Sequence, residues 1–269
     1  MSKNIDLHLH TLHSDGELTA EALLNLVASK NIACASITDH DTFAAYAVAP
    51  RIAESLGVEL IPGIEVSSVD NGKDIHILGY FCDTRNAEFL TALDIQSKRR
   101  KDRVRASLEK LRKLGMNIEY GLVERFCAGV SIGRPHIALA MIEMGYVSTF
   151  PEAFDRYLKE GACAYSPLEG LAPKETISLI KKAGGLAVMA HPEYTDADDL
   201  IPKLVEWGIE GIEVYNYKTA KNIKKYRKIA KKYGLVETGG SDFHYENAGL
   251  LGEQNLPYSI VEELRTRLS

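Results

Sequence analysis

The sequence lacks the features that mark a membrane-spanning, exported or disulfide-stapled chain. Its 269 residues contain no run that approaches the ~20 apolar residues of a membrane helix. The first residues lead directly into a strand pattern, without the charged and apolar segments of a signal peptide. The cysteines are widely spaced and form no Cys-x-x-Cys pair, which argues against a thiolate zinc site or a disulfide framework. We therefore expect a cytoplasmic protein with reduced thiols.

The sequence also has little net charge, no internal repeat and no low-complexity segment. A net charge of −5 argues against a protein whose whole surface binds nucleic acid. Basic side chains are nevertheless concentrated in two segments: residues 98–113 hold nine Lys or Arg, and residues 218–232 hold eight. This uneven distribution permits a local surface that attracts anions.

The sequence does contain an alternation of short apolar strands and amphipathic helices, which is typical of a parallel α/β sheet or barrel. The pattern predicts strands at 4–9, 33–38, 59–61, 186–190, 211–214 and 235–238, and helices at 20–30, 43–56, 174–183 and 219–233. Charged helical sequence replaces this alternation from about 83 to 163. We predict an α/β domain formed by 1–82 and 164–269, interrupted by an inserted helical cap domain at 83–163.

A β-hairpin is predicted around Asn71-Gly72, the dipeptide that best fits a two-residue turn. With a loop of that length, opposed residues have numbers that sum to 143. His76 then lies opposite Ser67 and diagonally from Glu65 on the same face of the hairpin. This register brings His76 and Glu65 close enough to share an ion.

Histidine and carboxylate side chains are placed where the predicted strands end. The set consists of His8, His10, Asp15, His40, Glu65, His76, His191, Asp242 and His244. In a parallel barrel the carboxyl ends of the strands converge on one mouth, so these groups would meet there. A lone histidine is more often a hydrogen-bonded structural residue, so the prediction depends on the placement of the whole set. Imidazole and carboxylate without thiolate suit manganese, iron or zinc.

These residues lie in motifs that resemble a known superfamily. The motifs are Asp6-Leu-His-Leu-His-Thr11 with Ser14-Asp15-Gly16, Thr38-Asp-His-Asp41, Pro62-Gly-Ile-Glu65, His76, Ala190-His-Pro192 and Gly240-Ser-Asp-Phe-His244. Their types and order resemble the polymerase-and-histidinol-phosphatase (PHP) superfamily of metal-dependent phosphoesterases. The helical insert and Gly133-Arg-Pro-His-Ile-Ala138 most resemble bacterial nucleoside 3′,5′-bisphosphate phosphatases, some of which are also 5′-to-3′ exoribonucleases.

The resemblance implies a distorted (β/α)7 barrel that binds up to three divalent ions, Mn²⁺ first, with Zn²⁺ or Fe²⁺ as alternatives. It assigns the first ion to His8, His10, Glu65 and Asp242, the second to Glu65, His76 and His191, and the third to Asp15, His40 and His244. The implied reaction is hydrolysis of a phosphomonoester by a hydroxide that two ions share. The expected substrates are nucleoside 3′,5′-bisphosphates, at the 3′-phosphate, and short 5′-phosphorylated RNA.

Four basic residues of the insert are candidates for substrate binding. Arg134 is predicted to clamp phosphate, because a guanidinium group matches phosphate with two parallel hydrogen bonds; the alternative is an ion pair with an acid such as Glu143. His136 either contacts the substrate or caps the helix that follows. Arg100 and Arg103, three residues apart on one helical face, either guide a polyanion toward the site or belong to a solvated face.

Two other functional classes stay open. A metal-activated water attacks phosphorus or a carbonyl carbon alike, which also permits a histidinol-phosphate phosphatase or another metallohydrolase of the same superfamily. A non-catalytic, metal-dependent module that binds nucleic acid through the basic insert is the third alternative. The complete set of nine candidate ligands argues against this last alternative.

Overall fold

The chain folds into two β-sheets surrounded by helices. A computed structural model describes residues 4–127, 131–195, 197–216, 220–245 and 251–268, and the structural statements below refer to these residues. The strands are β1 (Asn4–Leu9), β2 (Ile32–Ile37), β3 (Glu59–Leu60), β4 (Gly63–Asp70), β5 (Lys73–Tyr80), β6 (Leu186–Met189), β7 (Gly211–Tyr215), β8 (Val236–Gly239) and β9 (Leu256–Pro257). The mixed α/β class predicted from the sequence is confirmed.

The α-helices cover the outer faces of the sheets and fill the long insert. They are α1 (Ala20–Ser29), α2 (Ala49–Leu56), α3 (Ala87–Lys113), α4 (Tyr120–Arg125), α5 (Arg134–Glu143), α6 (Phe150–Ala153), α7 (Pro173–Lys182), α8 (Pro192–Thr195), α9 (Ile201–Glu206), α10 (Ala220–Tyr233) and α11 (Ser259–Thr266). Two 3₁₀ turns (Ala44–Ala47, Asp198–Leu200) and one π turn (Phe154–Leu158) accompany them. Within the described ranges, every helix is too short or too polar to cross a membrane.

The two sheets meet at their edges. The first has the strand order β3-β2-β1-β9, and the second has the order β4-β5-β6-β7-β8. Most neighbours are parallel, but β9 is antiparallel to β1, and β5 is antiparallel to both β4 and β6. Isolated parallel bridges join Leu9 to Phe243 and His40 to Glu65. The end of β1 therefore lies beside the segment that follows β8, and the segment that follows β2 lies beside the start of β4.

Most of the predicted elements form where the sequence pattern places them. β1 matches its predicted bounds, and Thr19 caps α1 by accepting a hydrogen bond from the backbone of Ala22. The single helix predicted at 43–56 is wrong: a 3₁₀ turn precedes α2, which starts at Ala49. Pro50 explains the break, because proline has no N–H to donate and is accommodated only in the first helical turn.

The β4–β5 hairpin adopts the predicted register. Ser67 is paired with His76, and the two-residue turn consists of Asn71 and Gly72, both with positive φ. Asn and Gly tolerate this left-handed conformation, which the tight turn requires. The turn therefore places the side chains of His76 and Glu65 on one face.

The insert has a hydrophobic cluster of its own. Buried side chains from Val104 to Ala164 pack together, with Leu111, Val123, Ile137 and Met141 fully or almost fully buried. Three further clusters pack on the faces of the two sheets. The long helix α3 connects the two regions, because Phe89 packs under the second sheet whereas Val104 belongs to the insert.

Candidate metal centre

Glu65 lies at the centre of the candidate site and is completely buried on β4. Its carboxylate oxygens lie 2.8–3.2 Å from a ring nitrogen of each of five histidines, His8, His10, His40, His76 and His191. Oε2 faces the first three rings and Oε1 faces the last two. One carboxylate thus connects histidines that come from four separate segments of the chain.

Two further carboxylates complete the cluster. Asp242 Oδ1 lies 3.2 Å from His8 Nε2 and 3.1 Å from His10 Nε2. Asp15 Oδ1 lies 3.3 Å from His244 Nε2, whose ring stacks on His10 with 4.1 Å between centroids. The structure therefore brings all nine of the sequence-predicted ligands into one continuous cluster.

The ligand atoms form three overlapping groups within which they lie no more than 4.8 Å apart. The groups are His8, His10, Glu65 and Asp242; His10, Asp15, His40 and His244; and His40, Glu65 and His76. The first group holds the same four residues that the resemblance assigns to the first ion. His191 is attached to the cluster through Glu65, from which it is separated by 2.8 Å.

Strained backbone turns several of these side chains toward the centre. His191 and Asp242 have φ angles of 22° and 51°, and Asp41, next to His40, also has a φ of 51°. A non-glycine residue in this region costs roughly 1–3 kcal/mol, and such conformations persist where surrounding contacts enforce them. They occur here at strand ends, where the chain must turn sharply and still point a ligand inward.

Gly240 allows the segment after β8 to lie against β1. A Cβ atom at this position would be 2.4 Å from both Cβ and backbone N of His8. Such contacts are impossible without movement of one segment, so the close approach requires glycine. The position of His8 therefore depends on a residue that has no side chain.

We expect Gly240→Ala to destabilise the protein by about 1–3 kcal/mol, because overpacking a filled site has this cost. Displacement of His8 should also lower the amount of Mn²⁺ that the purified protein retains. Gly121→Ala is the matched control, since a Cβ there meets no atom within 4 Å and the residue lies inside α4. Thermal unfolding and metal analysis of both variants test this; equal behaviour would contradict it.

A second layer of buried polar residues orients the histidines. His10 Nδ1 lies 3.3 Å from Ser14 Oγ, which donates a hydrogen bond of 2.7 Å to Asp39. His8 Nδ1 lies 3.0 Å from Glu213 Oε1, and Glu213 is buried in the middle of β7. Sequence reasoning missed Asp39 and Glu213. The available signal for Glu213 was a carboxylate inside an otherwise apolar strand, where it must find a partner.

The cluster strongly favours ionised carboxylates. Burial alone would raise the pKa of Glu65, but the nearby His40, His8 and His76 rings hold the pKa well below its ordinary value. Burial likewise opposes ionisation of Asp15, whereas His40 and His244 lower the pKa of this carboxyl. The acids are therefore anionic at neutral pH, which is the form that binds cations.

Divalent metal ions fit this set of residues. His10 Nε2, Asp15 Oδ1, His40 Nδ1 and His191 Nδ1 are buried atoms that form no hydrogen bond of normal geometry among the described residues, although the first three lie 3.1–3.3 Å from other atoms of the cluster. Buried polar atoms without partners are costly, and coordination to a cation would satisfy them. The donor set of imidazole nitrogens and carboxylate oxygens is the one that borderline transition metals prefer.

Two of the predicted basic residues lie near the cluster around one acid. Arg103 Nη2 and Arg134 Nη2 donate to Asp74 Oδ2 at 3.0 Å and 3.1 Å. Asp74 precedes His76 by two residues on the same face of β5, which separates them by about 7 Å along the strand. Burial, followed by the neighbouring Arg103, lowers the pKa of Arg134 to about 10. Arg134 thus does not pair with Glu143, which instead binds Arg125.

Arg100 and His136 already have protein partners. Arg100 is buried and donates to Asp41 Oδ2 and Ser67 Oγ, each at 2.6 Å. His136 Nδ1 accepts a hydrogen bond from the backbone N–H of Gly133, and Nε2 lies 2.9 Å from the carbonyl oxygen of Ser14. His136 therefore caps α5 and attaches it to the loop that carries Asp15. Binding of substrate by either residue would require rearrangement of these bonds.

A family model described as the PHP domain matches residues 6–237. The matched segment covers most of the chain and includes seven of the nine clustered residues. Asp242 and His244 lie just beyond its end.

Several curated proteins are similar over most of their length. A 5′-3′ exoribonuclease of Escherichia coli is 34% identical over 89% of this chain and 84% of its own. A phosphoribosyl 1,2-cyclic phosphate 1,2-diphosphodiesterase of Eggerthella lenta is 32% identical over 89% of this chain and 93% of its own. A 3′,5′-nucleoside bisphosphate phosphatase of Chromobacterium violaceum is 31% identical over 91% of this chain and 89% of its own.

The fold is similar to that of a solved structure as well. A chain from Bifidobacterium adolescentis, assigned to the metal-dependent phosphoesterases, is 28% identical and superposes with a TM-score of 0.91. The alignment covers 99% of this chain and 97% of that one. Together with the matched family model, these similarities show that the chain belongs to the PHP family and is a hydrolase that acts on phosphoric esters.

Proposed function

We propose that this protein removes the 3′-phosphate from nucleoside 3′,5′-bisphosphates and also acts on short 5′-phosphorylated oligoribonucleotides. The observation that carries the proposal is the combination of a buried ligand cluster with a pair of arginines beside it. A substrate with two phosphates needs one site for the reacting group and a second for the other group. The cluster around Glu65 supplies the first, and Arg103 with Arg134 supplies the second.

We propose that the cluster holds three divalent ions, with Mn²⁺ as the preferred metal and Zn²⁺ or Fe²⁺ as alternatives. His8, His10, Glu65 and Asp242 would hold one ion, Glu65, His76 and His191 the second, and Asp15, His40 and His244 the third. When bound, such ions lower the pKa of coordinated water and stabilise charge on phosphoryl oxygens. The overlap of the ligand groups at Glu65, His10 and His40 supports closely spaced ions.

The arginine pair has spare positive charge for an anion. Two guanidinium groups share the single carboxylate of Asp74, so the trio carries a net charge of +1. Asp74 and Arg134 are both partly exposed, which leaves them within reach of a ligand. A phosphate could therefore accept hydrogen bonds from Arg134 while Asp74, which also binds Arg103, holds the Arg134 guanidinium group in place.

We also propose the architecture that the resemblance implies. The bridges between Leu9 and Phe243 and between His40 and Glu65 support a distorted (β/α)7 barrel made from the two sheets. The separate hydrophobic cluster of the insert supports a cap domain at 83–163 on a barrel formed by 1–82 and 164–269. The mouth of such a barrel would open toward the cap.

The relative from Eggerthella lenta favours a second candidate, hydrolysis of a cyclic phosphate diester on a ribose. The reaction needs the same cluster, but its substrate has a different arrangement of phosphates. Substrate choice would then be determined by side chains of the cap that contact the part of the substrate outside the cluster.

The proposal is tested by chromatographic identification of the products, nucleotides as well as free phosphate, formed from a panel of substrates in the presence of Mn²⁺. The panel contains adenosine 3′,5′-bisphosphate, adenosine 5′-monophosphate, ribose 1,2-cyclic phosphate 5-phosphate, histidinol phosphate and a short 5′-phosphorylated RNA. We expect the highest kcat/KM for the bisphosphate and no turnover after removal of metal with a chelator. Preference for the cyclic phosphate or histidinol phosphate would overturn the assigned substrate, and chelator-resistant turnover would overturn metal dependence.

A further inference from the structure

Glu213 is a fully enclosed carboxylate with three nitrogen partners. Its Oε1 lies 3.0 Å from Nδ1 of His8. Its Oε2 accepts one hydrogen bond from the backbone N–H of His191 at 2.8 Å and another from Nδ2 of Asn216 at 2.7 Å. Through Glu213, β7 thus contacts two of the clustered histidines. Glu213 itself is not one of the nine candidate ligands.

The contact with His8 determines which ring nitrogen carries the proton. His8 Nε2 faces the cluster, at 3.2 Å from both Glu65 Oε2 and Asp242 Oδ1. To bind a cation, this nitrogen must present its lone pair, so the proton must be on Nδ1. Glu213 already accepts hydrogen bonds from two N–H groups, and as an acceptor it stabilises the tautomer of His8 that has its N–H at Nδ1.

The contact with His191 holds a strained turn. His191 has a φ of 22°, and its N–H is directed at Glu213 Oε2. Such a backbone conformation persists only where neighbouring groups enforce it. One carboxylate therefore orients the ring of His8 and also the backbone of His191, whose ring lies 2.8 Å from Glu65.

Glutamine cannot replace this carboxylate, although its size is nearly the same. If the amide oxygen faces His191 and Asn216, the amide NH₂ faces His8 Nδ1 and favours the tautomer with its proton on Nε2. If the amide is flipped, its NH₂ faces two N–H donors, and the turn at His191 loses its acceptor. Either orientation breaks one of the two functions of Glu213.

We infer that Glu213 is a positioning residue that prepares His8 and His191 to bind divalent cations. This inference rests on the metal-dependent function proposed above. It predicts that Glu213→Gln weakens the binding of Mn²⁺ to the metal-free protein by about 10- to 100-fold, the range expected when a partner of a liganding histidine is lost.

The experiment measures Mn²⁺ binding to the purified, metal-free full chain by calorimetry and records the visible absorption spectrum of the Co²⁺-loaded protein. Glu213→Gln should lower the affinity and change the Co²⁺ bands, which report ligand geometry. Glu237→Gln is the matched control on the adjacent strand β8, where the carboxylate binds Tyr215 and Arg227 instead of a clustered histidine. Its affinity and spectrum should equal those of the wild type.

Circular dichroism establishes that each variant folds. If Glu213→Gln does not fold, Asn216→Ala decides, because it removes one donor from Glu213 and should weaken Mn²⁺ binding less, but in the same direction. Wild-type affinity and an unchanged Co²⁺ spectrum in the folded variant would overturn the inference. If the wild type binds Mn²⁺ but hydrolyses no member of the substrate panel, the proposed function fails while the role of Glu213 is still decided by these measurements.

Discussion

Glu65→Gln should reduce kcat/KM by on the order of 10³-fold or more, the largest effect that we expect from any single substitution. Both oxygens of Glu65 are engaged, Oε2 with three imidazole rings and Oε1 with two. Glutamine replaces one oxygen with an NH₂ group and removes the negative charge. Glutamine therefore cannot bind cations through both atoms at the end of its side chain. The two groups of ligand atoms that share this residue would no longer be connected.

The measurement combines steady-state hydrolysis of adenosine 3′,5′-bisphosphate with metal analysis of the purified variant. Metal content should fall together with activity, since Glu65 belongs to two of the three groups of ligand atoms. Glu54→Gln is a suitable control, because Glu54 is exposed on α2 and belongs to none of the three groups of ligand atoms. A Glu65→Gln variant that kept its metal and came within a few-fold of wild-type activity would contradict the proposed centre.

Arg134→Ala should lower kcat/KM for adenosine 3′,5′-bisphosphate by about 10- to 100-fold, as expected for loss of a charge-assisted hydrogen bond. The loss should be much smaller for a substrate that has only the reacting phosphate, because Arg134 is proposed to bind the other one. Arg134→Lys should rescue only part of the loss, since an ammonium group cannot form two parallel hydrogen bonds.

Arg125→Ala provides the control for Arg134, because it removes an exposed arginine that pairs with Glu143 in the same helical insert. Kinetics with adenosine 3′,5′-bisphosphate and with adenosine 3′-monophosphate, which has only the reacting phosphate, should be measured side by side for both variants. Equal losses on the two substrates would show that Arg134 does not recognise the second phosphate. In that case its contact with Asp74 would serve the structure of the insert.

The candidate site was more predictable than the arrangement of the sheets. The nine clustered residues could be found because their types recur at strand ends, and the Asn71-Gly72 turn specified the partner of His76. Strand direction was harder to predict, since the local apolar pattern of β6 does not record that its neighbour β5 runs the opposite way. The last two elements, β9 and α11, were also missed. β9 has only two residues and therefore shows no periodic pattern.

The residues that support the site were the hardest to predict. Glu213 lies between Ile212 and Val214 in an otherwise apolar strand, which indicates that it needs a partner, but only the folded chain shows that this partner is His8. Arg100 belongs to a run of charges that resembles a solvated helix face. Its burial depends on long-range contacts, because Asp41 after β2 and Ser67 on β4 accept its hydrogen bonds. Long-range pairing of this kind has no local sequence signal.

We propose above that side chains from distant segments bind divalent metal ions together around Glu65. Crystals of the Mn²⁺-loaded protein, measured at the manganese absorption edge, test it most directly through anomalous scattering. We predict anomalous peaks between Glu65 and the surrounding His8, His10, His40, His76 and His191 rings. Peaks located elsewhere on the protein, or a cluster without any peak in Mn²⁺-saturated crystals, would contradict the account.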